Sequence, residues 1–158
     1  MKQPAPYFLS YAHKDLADVE RLREVLSPLF KASAEFEFGE WIDQLILPGE
    51  HWKKEIEDAL AANRFGLLLV SPEFLASSFI TNHELPELLA KPLVVPVGLH
   101  QVLFDGSMDL KGLGDRQLFR DSKGRTFDGC KTMEGRRQFA RELFTKTTAL
   151  LKKYAYAC

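Results

Sequence analysis

Residues 65 to 71 read FGLLLVS, an unbroken apolar run that ends in serine and meets Pro72. The run is far too short to cross a bilayer, which takes about 20 apolar residues. It also lacks the polar–apolar alternation of a strand with one face in water, so it fits a parallel strand covered on both faces. A second run of this kind, LVVPVGL, occupies 93 to 99. Parallel neighbours cannot be joined by a tight hairpin; they need crossover connections, usually helices that pack on the sheet. The rest of the chain must therefore supply helices.

It does. Leu16, Val19, Leu22, Leu26 and Leu29 recur at intervals of three and four, one apolar face of a helix that Pro28 should close. Before it, Tyr7 to Tyr11 reads as the first strand, and FEFGEWID, 36 to 43, as a second, irregular one interrupted by Gly39. QLILPGEH, 44 to 51, is a loop with Pro48-Gly49 as its turn signal, and Trp52, Ile56, Ala59 and Leu60 mark a second amphipathic helix. The stretch PEFLASSFITNHELPELLAK, 72 to 91, is helical in parts and broken at Pro86. Residues 100 to 130 are loop-rich, with one short strand expected near Gln117 to Phe119. The last segment, Thr132 to Tyr154, reads as a long helix with Phe139, Leu143, Leu150 and Tyr154 on one side. The expected architecture is α/β, a parallel sheet of about five strands with helices on both faces, in a single domain over 1–158.

Composition narrows the class. With 46% hydrophobic and 27% charged residues, neither disorder nor a fibrous class is indicated. The formal net charge of -1 lacks the basic excess of a nucleic-acid binder. Cys130 and Cys158 have no CxxC spacing, and the four histidines have no metal-ligand spacing, so neither a disulfide framework nor a metal site is expected. The stretch Met1 to Pro6 has no apolar signal-peptide core. These features lead to an expectation of a cytoplasmic protein that enters no membrane.

Several α/β families fail on residues. There is no GxxxxGK[ST], and Gly112-Leu113-Gly114 neither follows the first strand nor continues to a third glycine at Gln117. A phospho-acceptor receiver needs an acidic pair after the first strand and an aspartate ending the third, where this chain has Ala12-His13 and Ser71. In contrast, FLSYAHKD (8 to 15), WIDQLILPGEHWKKEIEDAL (41 to 60) and LLLVSPEFLASSFITNHEL (67 to 85) resemble the three boxes of the Toll/interleukin-1 receptor (TIR) domain. VVPVGL (94 to 99) resembles its fourth strand, and LPGEHW and SPEFLASS resemble the bacterial, enzymatic members more than animal receptor tails.

The resemblance implies a flavodoxin-like sheet with LILPGE as a loop that borders the cleft and contacts other domains. It also implies one of two functions. The first is cleavage of NAD+, here a substrate rather than a cofactor, between nicotinamide and ribose. The product would be ADP-ribose or a cyclic isomer, in anti-phage or immune signalling, with activation by self-association and by a sensor elsewhere in a longer protein. The second is a silent module that only assembles with other TIR domains. A third, weaker alternative is another N-glycosidic enzyme, such as a nucleoside deoxyribosyltransferase.

Nicotinamide leaves as a neutral base, so the chemistry needs one carboxylate to stabilise the ribosyl cation rather than an acid to protonate a leaving group. The resemblance assigns that role to Glu84, with Glu87 as fallback. Local sequence gives Glu84 another reading, since Thr81-x-x-Glu84 is a capping-box pattern. Phe79 matches the aromatic that precedes the glutamate and stacks on a ligand ring; a core phenylalanine reads equally well. Ser10 and Tyr11, at the carboxyl end of the first strand, are expected to bond ribose or phosphate oxygens. Asp43 matches the acid at the loop entrance, as ligand contact or as turn residue. Asp15 reads as an N-terminal helix acid, His13 as solvated, Trp52 as core, and Arg64 as either a pyrophosphate contact or plain surface.

Overall fold

The computed structural model describes residues 1–41, 54, 58, 62–77, 80, 82, 86, 90, 93–113 and 118–155. Strand β1, Gln3–Ser10, lies beside β2, Phe36–Trp41, on one side and β3, Phe65–Val70, on the other, with β4, Val94–Gly98, beyond β3. All three pairings are parallel, in the order β2-β1-β3-β4. This is the α/β, flavodoxin-like arrangement, with four strands in place of the expected five among the described residues. Of the strand expected near Gln117 to Phe119, Phe119 forms a parallel bridge with Val97, and Gln117 lies outside the described residues.

Strand β1 begins four residues earlier than the sequence reading placed it, in spite of Pro4 and Pro6. The register explains why. Residues 3 to 6 pair only with β2, and pairing with β3 starts at Tyr7↔Phe65. The carbonyls of Pro4 and Pro6 point to the unpaired side, where they accept from Arg64 Nη1 (3.1 Å) and Arg64 N (2.8 Å). The missing proline N–H groups fall on that same side and remove no ladder bond. Strand β2 likewise runs without a break through Gly39, which sits opposite Pro6.

Helix α1, Leu16–Lys31, continues past Pro28, contrary to the expectation that proline would close it. Pro28 lies in the last turn, so one helical bond is lost, while Phe30 beyond it is 4% exposed and keeps that turn on the core. The final helix, Met133–Ala155, packs with α1 on one face of the sheet. There Leu22, Leu26 and Phe30 meet Phe139, Leu143 and Leu151 over Tyr7, Leu9, Leu67 and Val97. Tyr154 does not join the expected stripe; with Lys152 and Lys153 it is exposed, because the last turn runs past the core. The other face of the sheet carries helix α2, Pro72–Ala76, whose Phe74 and Leu75 pack with Phe8, Leu68, Val70 and Ile80. The final helix is α3 in chain order.

Two further readings fall partly outside the described residues. Lys54, Asp58 and Ala62 are helical and exposed, as the outward face of the expected second helix, whereas Trp52, Ile56, Ala59 and Leu60 lie outside the described residues. Pro86 is helical, and its carbonyl accepts from Ala90 N at 3.3 Å; the residues on which the expected break before it turns, 83–85, lie outside the described residues.

Candidate active site

In an open parallel sheet, ligands bind outside the carboxyl ends of strands at the point where the order reverses. Here the chain runs from β1 outward to β2 and then returns to β3 on the other side, so that point lies between β1 and β3. Its walls are Ser10 and the residues after it, and Val70 and Ser71.

Ser10 ends β1 opposite Leu68 of β3. It is 1% exposed, and its hydroxyl has no hydrogen-bond partner among the described residues. A buried hydroxyl without a partner loses its hydration with no return, so this is a place where a ligand oxygen or another side chain would be stabilised. Successive strand residues point to opposite faces. Ser10 follows Phe8 onto the α2 face, whereas Tyr11 belongs to the cluster on the α1 and α3 face. The two residues that the sequence reading aimed together are therefore separated by the sheet. His13 is exposed, and its ring stacks on Tyr11 at 6.0 Å.

The next feature was not legible in the sequence. Asp15 stands at the amino end of α1, as expected, but makes no side-chain capping bond. Its carboxylate, 5% exposed, instead accepts a hydrogen bond from the hydroxyl of Ser71, which is fully buried at the end of β3. Ser71 Oγ also accepts from Phe74 N at 3.0 Å, capping α2. On the far side, His100 Nδ1 lies 3.6 Å from Asp15 Oδ1, and His100 Nε2 is 2.6 Å from Asp18 Oδ2. Burial pushes the Asp18 carboxyl up, but the bonds from His100 and Arg21 outweigh it and hold it below the usual carboxylate range. The carboxyl ends of β1, β3 and β4 are thus joined by one polar network.

Serine, histidine and aspartate together invite comparison with a nucleophilic triad, and the geometry rejects it. Ser71 donates to aspartate rather than to histidine, and has no exposed surface from which to attack a substrate. Among the described residues no group of three His, Cys, Asp or Glu is arranged to hold a metal ion. Two surface cavities, of about 420 and 570 Å³, share Phe119 and Lys146 and lie along α3. The first reaches Val94, Val95 and Pro96 of β4; neither includes Ser10 or Ser71.

A family model for the TIR domain matches residues 8–131, more than half of the chain. The chain belongs to the TIR domain family. The match begins within β1 and takes in β2, β3, α2 and β4, all of the strand ends just described. Among curated proteins, none matches the chain.

Within this TIR domain Glu84, Glu87, Phe79 and Asp43 lie outside the described residues, as does the loop from Leu45 to Glu50. Their neighbours bear on two readings. Ser77 Oγ accepts from Ile80 N at 3.3 Å, a bond made four positions before Thr81 in sequence, while Thr81 itself lies outside the described residues. Ile80 and Asn82 are in a wide, π-type turn, and Ile80, 3% exposed, packs in the cluster of Phe74 on the face that Ser10 shares. Arg64 is at the opposite end of the sheet. Its guanidinium bonds Pro4 O and lies 5.9 Å over the Phe36 ring, so it takes the surface reading and not the pyrophosphate one.

Proposed function

We propose that this TIR domain cleaves NAD+ at the bond between nicotinamide and ribose. The observation that carries the reading is the pairing of family with site. The matched region brings a buried hydroxyl without a partner among the described residues, Ser10, to the reversal point of the sheet. Ile80, four positions before Glu84 in sequence, packs on the same face. Of the described acids at this edge, Asp15 and Asp18 are committed to Ser71, His100 and Arg21. Glu73 at the same edge is exposed and pairs with Lys14 at 3.8 Å, and it is the family resemblance that assigns the charge-stabilising role to Glu84, with Glu87 as the alternative.

In this reading the glycosidic bond breaks with its electron pair leaving on nicotinamide, which becomes neutral. The ribosyl cation left behind faces the Glu84 carboxylate. Water attacks that cation and releases a proton, giving ADP-ribose; attack by a nucleophile of the adenosine half gives a cyclic isomer instead. Ser10 bonds a ribose or phosphate oxygen, Phe79 stacks on a ligand ring, and Asp43 stands at the cleft entrance. Tyr11 supports the strand end from the other face of the sheet. Activity requires self-association through the Leu45–Glu50 loop and serves an immune or anti-phage response.

The test is to incubate concentrated protein with NAD+ and identify the products by chromatography. Nicotinamide appearing in step with ADP-ribose or a cyclic isomer supports the reading. Intact NAD+ at every protein concentration, with TIR–TIR association still present, would favour the silent interaction module.

A further inference from the structure

An acid at a helix amino end is stabilised by the helix dipole even when it stays in water. Asp15 forgoes that cheaper arrangement and is 5% exposed, although a buried carboxylate is unfavourable unless it is paired. Its partner is Ser71, and the partnership has a direction. A hydroxyl carries one hydrogen; once that hydrogen is given to Asp15, the lone pairs of Ser71 Oγ are left to receive Phe74 N at 3.0 Å. Asp15 therefore sets the rotamer of the residue that caps α2.

Helix α2 spans only Pro72–Ala76, too short to hold itself together without its cap and its packing. Phe74 and Leu75 supply the packing, and Ser71 supplies the cap. One turn later the device repeats, with Ser77 Oγ receiving Ile80 N. Two serine hydroxyls, Ser71 and Ser77, thus each hold a backbone N–H three residues on, the second that of Ile80, four positions before Glu84 in sequence. Asp15 is itself steadied from the β4 side by His100, which Asp18 holds at 2.6 Å.

We propose that Asp15 is a positioning residue for NAD+ cleavage: by fixing Ser71 it fixes the amino end of α2, the element that leads in sequence to Glu84. The proposal rests on the functional reading above and adds to it a residue that never touches substrate. Misplacing a reacting group by about 1 Å can lower a rate by about 100-fold, so the effect falls on kcat while substrate binding through Ser10 persists.

The experiment measures kcat and KM for NAD+ in the wild type, Asp15→Ala, Ser71→Ala, the double variant and Ser71→Thr, each with its melting curve. Each alanine variant should lose about 10-fold to 100-fold in kcat with KM little changed. The double variant should be no worse than the poorer single one, because both act through one bond. Ser71→Thr, which keeps the hydroxyl, should recover most of the rate; a purely structural role would lower the melting temperature and active fraction without this pattern. If Ser71→Ala does not fold, Asp15→Ala and Ser71→Thr still decide. Folded variants with wild-type kcat, a loss confined to KM, or losses that multiply in the double variant would overturn the proposal. A wild type that does not turn over NAD+ would instead overturn the functional reading, and the proposal with it.

Discussion

A methyl group placed on Gly98 would lie 2.8 Å from Thr126 Cγ2 and 3.1 Å from the Phe119 carbonyl oxygen. Gly98 is the last residue of β4, and its N–H donates to that same oxygen at 2.9 Å, while Phe119 N donates to Pro96 O at 2.8 Å. The Gly98→Ala variant therefore has two routes. The segment around Phe119 can move and surrender two backbone bonds, about 1 kcal/mol each. Alternatively it can stay and bear the overlap, where overpacking costs about 1–3 kcal/mol. The two routes bracket a loss of about 1–3 kcal/mol, and at roughly 2–4 °C per kcal/mol for a domain of this size the melting temperature should fall by about 2–12 °C. Thermal unfolding followed by circular dichroism reads this directly. A second variant isolates the cause. Thr126→Ser removes the methyl at 2.8 Å and keeps the hydroxyl that donates to Asp128, so Gly98→Ala combined with Thr126→Ser should regain part of the loss. An unchanged melting temperature in Gly98→Ala would refute the close approach, and a double variant no better than the single would refute Thr126 as its source.

The fold was legible where burial on both faces writes an unbroken apolar run. Strands β3 and β4 fall within a residue or so of the runs at 65 and 93. What misled was proline. Pro4 and Pro6 hid the start of β1, and Pro28 suggested a stop that the structure does not make, because in each case the lost N–H falls on an unpaired side or in a terminal turn. The split of Ser10 from Tyr11 could have been read, since adjacent strand residues face opposite ways. The Asp15–Ser71–His100 network could not. Its members are 56 and 85 positions apart from Asp15 in the chain, and only the parallel register brings their strand ends together. A serine ending an apolar strand and a histidine following another were the only local signs.

Three other outcomes follow from the same account. Burial pushes the Asp121 carboxyl up, but the backbone N–H of Arg125, its guanidinium at 2.7 Å and Lys123 N outweigh it and hold it low, as His100 and Arg21 do for Asp18. A depressed carboxylate contributes stability above its unfolded pKa and loses it as pH falls through the folded one, so the melting temperature should drop below about pH 4, and less steeply in Asp121→Asn. A melting temperature independent of pH in that range would contradict it. Specific activity should rise with protein concentration if assembly activates the domain; a constant value from dilute to concentrated protein would count against this. Tyr7 donates to Glu40 Oε2 at 2.9 Å beside Arg23, so Tyr7→Phe should cost about 1–2 kcal/mol in urea unfolding and leave NAD+ turnover unchanged. Lost turnover in the folded variant would place β2 closer to the chemistry than the site described here.

In the proposed reaction this TIR domain breaks the nicotinamide–ribose bond with Glu84 facing the developing charge. Its most direct test compares NAD+ turnover in the wild type and Glu84→Gln, a substitution that keeps size and polarity and removes only the charge. The wild type should release nicotinamide, and the variant should lose at least about 100-fold in kcat with an unchanged melting curve. Comparable turnover in both would contradict the assignment of Glu84 and pass the role to Glu87; no turnover in either would contradict the reaction itself.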